Sequence, residues 1–253
     1  MKETKNKIFT NKQGSTFIVL NYTNSRDVRV KFLDASGYEK SVRWDHVMKG
    51  AIKNPYFPFV SGIGYLGEGI HVSRIRRKKS LFYARWANML HRCYDRIENN
   101  SSYIECSVCV EWHNFQNFAE WCMCNYYEIG GMKTDLDKDI LFKGNKIYSP
   151  STCVFVPHNI NAMIVKREVK RGVYPIGVYY DITKNKLVSQ YTNQITNKRV
   201  RIALFEPHEK ERAFTCYKMH KEAHIKEVAE MFKTRIPDIL YQALLRYEIA
   251  ITD

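Results

Sequence analysis

No apolar run in this chain is long enough to span a bilayer, which takes roughly 20 consecutive apolar residues in a helix. The stretch from Met1 to Ser15 is charged and lacks the apolar core of a secretory signal. The seven cysteines fall at irregular spacing. That excludes a secreted disulfide framework and fits a reducing cytoplasm. Internal repeats and low-complexity tracts are absent. Acidic residues are scarce: 26 Asp and Glu stand against 40 Lys and Arg, a net charge of +14. Such a surplus calls for an acidic partner, most economically nucleic acid. A membrane surface would also attract it, but no lipidation signal is visible and the basic residues are spread over several segments. The bland alternative is a basic protein that merely stays soluble.

Hydrophobic residues make up 45% of the 253, enough for a packed core in one large domain or two modest ones. An α+β organisation is expected. Alternation around Phe17 and Val19, then around Val28, Val30 and Phe32, predicts a small β meander or barrel within residues 1–70. Lys49 to Gly69 is rich in Gly, Pro and aromatics and reads as an ordered connector. Its glycines, Gly62, Gly64, Gly67 and Gly69, do not make a phosphate loop, because no helix start and no Lys-Ser/Thr pair follows. The basic run Arg74 to Lys79 precedes a helix and is either a solvated loop or a phosphate contact.

Two helical stripes follow, Trp86/Met89/Leu90/Cys93 and Phe115/Phe118/Ala119/Cys122, both at core spacing. After a basic linker, Lys166 to Arg171, three strands are expected between Tyr174 and Phe205, with turns at Thr183–Asn185 and Thr196–Asn197. A helix carrying Phe214, Tyr217, Ile225, Val228 and Phe232 comes next. A last helix begins at Pro237, with Leu240, Ala243, Leu244 and Tyr247 on its apolar side.

The segment from Asp135 to Asn161 carries the most chemistry. It reads as two short strands joined by a polar turn, then a helix start. Acidic side chains lie on the first strand, Asn145 in the turn, and Asn159 and Asn161 where the helix begins. A ββα hairpin of this kind can hold one divalent metal against a phosphate, the layout of a metal-assisted phosphodiesterase.

Residues 80–165 resemble the phage and mobile-element branch of the HNH (His-Me finger) endonucleases. The resemblance rests on linked motifs in order: Trp86 through Tyr94, Val108 to Trp112, the aromatics Phe115, Phe118 and Trp121, Leu136 to Asp139, and Tyr148-Ser-Pro with Cys153. Within an expected domain at 172–253 that includes the C-terminal helices, about residues 174–232 resemble the APETALA2-type DNA-binding domain through Gly177 to Tyr180, Leu187 to Gln190, and a basic third strand ending in Ala203 to Phe205. That resemblance implies a three-stranded sheet laid into the major groove and backed by a helix.

HNH enzymes use a first-strand His as general base, a middle Asn to orient it and a final His or Asn on the metal. Here the first strand carries Asp135, Asp137 and Asp139 and no His. The resemblance places Asp137 at the strand-acid position and Asn145 in the turn. Asn161 is the expected helical ligand, with His158 and Asn159 as competitors, and Asp139 is the alternate carboxylate. His113 supplies an imidazole only if its helix folds back over the hairpin; otherwise it is a surface His. Oxygen ligands suit magnesium or manganese. Cys106 and Cys109 have zinc-ligand spacing, which Cys93 and Cys153 would complete, but an ordinary buried-thiol reading competes.

In the C-terminal sheet, alternation sets Arg199 and Arg201 on one face and Val200 and Ile202 on the other. Tyr179, Lys184, Lys186, Gln190 and Lys198 lie on or beside the same strands. Arg reads guanine and Gln reads adenine in the major groove. The sequence therefore leads to a metal-dependent endonuclease of the phage HNH type, such as a homing enzyme, acting on double-stranded DNA in a host cytoplasm. The alternative is a catalytically silent DNA-binding protein that retains the hairpin as scaffold. A protein partner stays open.

Overall fold

The computed structural model describes residues 4–95, 103, 105–164 and 173–253. The basic linker at 166–171 lies outside the described residues. The fold is α+β, with several small sheets and no closed barrel among the described residues. None of the described helices is long and apolar enough to cross a membrane. The chain divides into two compact units, Met1–Cys124 with Ile147–Ser149, and Asn125–Lys146 with Pro150–Asp253.

The first unit opens with an antiparallel meander, β1 (Ile8–Thr10), β2 (Thr16–Asn24), β3 (Asp27–Phe32) and β4 (Glu39–Val42), in that spatial order. Every second residue points inward: Phe17 and Val19 from β2, and Val28, Val30 and Phe32 from β3, are all fully buried. Val47, on the short helix α1 (Trp44–Met48), and Ile52 complete this core.

The basic run forms a tight hairpin, β5 (Arg74–Ile75) and β6 (Lys78–Lys79), rather than a plain loop. Arg76 and Arg77 occupy its turn with φ of 47° and 67°, a left-handed pair that hairpin twist favours and that arginine adopts at some cost. Ser80 then caps α2 (Leu81–Tyr94), its hydroxyl accepting from the Tyr83 amide. Trp86, Met89 and Leu90 are buried along the expected stripe. A short parallel pair, β7 (Ser107–Val108) with β9 (Ile147–Tyr148), and α3 (Phe115–Asn125) complete the unit. All four residues of the second stripe, Phe115 through Cys122, are buried.

The second unit contains β8 (Thr134–Asp137) paired antiparallel with β10 (Val154–Pro157), then α4 (His158–Ile164). It continues with a three-stranded antiparallel sheet, β11 (Val178–Asp181), β12 (Lys186–Asn193) and β13 (Lys198–Phe205). The helices α5 (Lys210–Phe232) and α6 (Asp238–Leu245) follow. Asn185 and Asn197 take positive φ in the two strand turns, as Asn readily does. Gly177 precedes β11 with φ +77°, and a Cβ there would sit 2.1 Å from the Tyr217 ring, so its lack of a side chain lets α5 approach the sheet.

One hydrophobic cluster joins Val154, Val156, Ile160 and Met163 of the hairpin element to Val178 and Leu187 of the sheet and Phe214, Ile225, Val228 and Leu240 of the helices. The hairpin, expected from sequence to close a module with α2 and α3, thus shares its core with the C-terminal sheet. Two four-residue strands bury too little by themselves to be independently stable, and this cluster supplies the missing apolar partner.

Candidate functional site

The ββα element forms where the sequence places it, but its strands are joined by a long connection. Register pairs Asp137 with Val154 and Asp135 with Val156. The Lys133 carbonyl accepts from the His158 amide at 2.9 Å, which ties the first turn of α4 to the start of β8. His158 and Asn161, three apart, therefore share a helix face beside Asp135.

Asp135 is the centre of this cluster. Its Oδ2 accepts from His158 Nδ1 at 2.8 Å and from Asn161 Nδ2 at 3.2 Å. A ring nitrogen that faces a carboxylate carries the proton, so the network assigns His158 the Nδ1–H tautomer and leaves Nε2 as an acceptor. The His158 side chain is 70% exposed, so Nε2 can reach a solvent-borne substrate. The opposite end of the Asn161 carboxamide, Oδ1, is buried and accepts no hydrogen bond.

Asp137 has a different environment. Its Oδ1 accepts from the amides of Asp139 and Ile140, at 2.9 and 2.8 Å, closing the turn after β8. Burial, and then the neighbouring Asp139 carboxylate, push Asp137 up to about 6. Asp139 pairs with Lys138 Nζ at 3.2 Å. Asn145 donates to the Lys138 carbonyl at 2.7 Å and holds the loop. The expected Asp137–Asn161 pairing is thus corrected: Asn161 engages Asp135, because the start of α4 is anchored at the Thr134 end of β8, while the Asp137 end runs into the turn.

His113 belongs to the other unit, in a 3-10 turn (Val110–His113), where Nε2 lies 3.1 Å from the Val108 carbonyl. Among the described residues no three or more His, Cys, Asp or Glu side chains gather as a metal-ligand set. Of the four thiols with zinc-ligand spacing, Cys106 and Cys153 are buried and Cys93 and Cys109 are half-buried.

In the sheet, Arg199 and Arg201 are exposed and lie opposite Thr192 and Gln190. Val200 lies opposite Tyr191, whose ring packs 5.2 Å from His224 of α5. The arginines therefore line the face turned away from the helix. The register shifts at Ser189/Gln190, a bulge that reverses the alternation beyond it. Ser189, opposite Ala203, bonds the Ala213 carbonyl of α5 at 2.6 Å, and Leu204 is 51% exposed on the outer side. Tyr179 is half-buried opposite Val188. Lys198 is exposed at the sheet end, and Lys184 sits in the β11–β12 turn. Lys186 pairs with Glu206, which offsets its charge locally.

Sequence reasoning passed over Asp135 as the organising acid, although a His directly after a proline at a helix start, with Asn three residues on, signals one shared face. Comparison with protein-family models, with curated proteins and with solved structures finds no match.

Proposed function

We propose that the chain is a DNA endonuclease of the HNH type, with the ββα element as its hydrolytic site and the outer face of β12 and β13 as its reader of base sequence. The observation that carries the proposal is the single Asp135 carboxylate accepting from both His158 and Asn161. A carboxylate that fixes an imidazole tautomer and orientation is the support a general base needs. His158 Nε2 takes a proton from water as the water oxygen bonds to phosphorus, the phosphorus–oxygen bond to the 3′ oxygen breaks, and a solvent water gives the departing 3′ oxygen its proton. The imidazole missing from the first strand is thus supplied by the helix start.

The donor set also fits a hard divalent cation. Asp135 has a second oxygen, and Asn161 Oδ1 is a buried acceptor without a donor. These two would hold magnesium or manganese, which would polarise the scissile phosphate. Phosphate contacts along the duplex come from the exposed hairpin residues Arg74, Arg76, Arg77, Lys78 and Lys79, while Arg199, Arg201 and Gln190 meet base edges.

A second reading, a silent DNA-binding protein, draws on Asp137 and Asn145, both of which serve the loop backbone. Nicking of supercoiled DNA with magnesium or manganese separates the two. Binding without nicking favours the silent protein.

A further inference from the structure

The meander and the connector that follows it have no part in the proposed hydrolysis. Together they form a cleft of about 670 Å³. The connector, legible in sequence only as rich in Gly, Pro and aromatics, supplies Tyr56, Phe57, Pro58 and Tyr65. The β3–β4 turn supplies Asp34 and Ser36. Tyr56 continues an aromatic series, with ring centroids 5.7 Å from both Tyr38 and Tyr65.

Asn54, 2% exposed, fixes the two walls together. Its Nδ2 donates to Asp34 Oδ2, and its Oδ1 accepts from the Tyr56 amide at 2.9 Å. The other oxygen of Asp34 accepts from the Ser36 amide at 3.0 Å. The carboxylate is thus held in place at the cleft wall. A second one stands nearby, since Tyr56 Oη donates to Glu68 at 3.3 Å.

Charge decides what this cleft accepts. The chain carries 40 basic residues, yet the lining includes none, and its one charged side chain is Asp34. Tyrosine faces would stack nucleobases, but a strand laid here would bring phosphates to the Asp34 carboxylate, and no lining residue is a cation. Aromatic rings beside a proline form the wall that extended, proline-containing peptides dock on, and a cation over a tyrosine face gains further from a nearby carboxylate. We propose that this cleft docks an extended, proline-containing segment of a partner protein that presents an arginine or lysine to Asp34 and Glu68.

The test uses the full chain and three probes: a fluorescein-labelled proline-rich decapeptide with two arginines, the same peptide with glutamines in their place, and unlabelled oligothymidylate as competitor. Fluorescence anisotropy should show saturable binding of the arginine peptide, roughly tenfold weaker for the glutamine peptide. Glu68→Gln and Asp34→Asn should each weaken the arginine peptide several-fold, and Tyr65→Ala should weaken both peptides. Circular dichroism reports whether each variant is folded, and the exposed Glu68 keeps an acceptor for the Tyr56 hydroxyl when it becomes glutamine. Oligothymidylate should leave the bound peptide in place. The proposal is overturned by no saturation up to about 1 mM peptide, by equal binding of the two peptides, by an unchanged affinity in a folded Glu68→Gln protein, or by displacement with oligothymidylate.

Discussion

His158 donates to Asp135 across 2.8 Å and twenty-three residues of sequence, from the first position of α4 to β8, the first strand of the element. The bond orients the imidazole of a side chain that stays exposed to solvent. Asn161 joins the same carboxylate one helical turn on. The resulting cluster of strand acid, helix imidazole and helix carboxamide gives the element a chemical capacity that the first strand lacks.

Removing the imidazole should cost more than loosening it. General bases contribute about 10²–10⁴-fold, so His158→Ala should lower single-turnover nicking by about that range. Asp135→Asn should lower it as well, because an amide does not hold the Nδ1–H tautomer as a carboxylate does. Both side chains lie outside the apolar cluster, so DNA affinity in EDTA, read by filter binding, should change less than about twofold.

Asp137 makes the opposite kind of prediction. Its carboxyl is raised by burial to about 6 in the folded chain, above its ordinary range near 4. The folded state therefore binds the proton more tightly than the unfolded one. The contribution of Asp137 to stability is complete below about pH 4 and is lost as pH rises through about 6. Asp137→Asn keeps an oxygen for the Asp139 and Ile140 amides and removes the charge. Urea titrations should show the variant more stable at pH 7 by on the order of 1–2 kcal/mol and flatter between pH 4 and 6. A loss of stability at pH 7 would contradict the assignment.

Gly177→Ala should destabilise the second unit by about 2 kcal/mol or more. The added methyl meets the Tyr217 ring, and the backbone there is left-handed. Thermal unfolding measures the cost. Pairing the change with Tyr217→Ala should recover only the steric part, because the positive φ remains.

Arg201 and Gln190 face each other across the outer sheet, and Arg199 faces Thr192. In a selection from random duplexes, Arg201→Ala and Arg199→Ala should each relax one or two positions, with discrimination reduced by about 1–3 kcal/mol per lost base contact. Neutralising Arg76 and Arg77 together should weaken all sequences alike and lower the salt slope of binding by about two. Uniform weakening by the sheet variants instead would make those arginines phosphate contacts.

Much of the second unit was legible because its signals are local. Period-2 alternation in β13 separates Arg199 and Arg201 from Val200 and Ile202, and the 3.6 period exposes the stripe from Phe214 to Phe232. Asn185 and Asn197 marked their own turns. The bulge beside Gln190 was not legible, since a register shift depends on the partner strand. Nor was the sharing of one core by the hairpin and the sheet, which depends on contacts far apart in sequence. The candidate site was legible in its parts. Asp137 stands at the strand-acid position of the resemblance, whereas Asp135 meets His158 through the backbone bond between His158 and Lys133, which no residue spacing declares.

The most direct test is nicking of a supercoiled plasmid that carries a site selected from random DNA by the protein itself, with magnesium or manganese. Wild type, His158→Ala and Asp137→Asn are compared under conditions where each saturates the DNA. The account predicts metal-dependent nicking by wild type, continued nicking by Asp137→Asn, and a loss of about 10²-fold or more for His158→Ala. Nicking that survives His158→Ala unchanged would remove the Asp135–His158 pair from the chemistry, and saturated binding with no nicking by wild type would leave the silent DNA-binding protein.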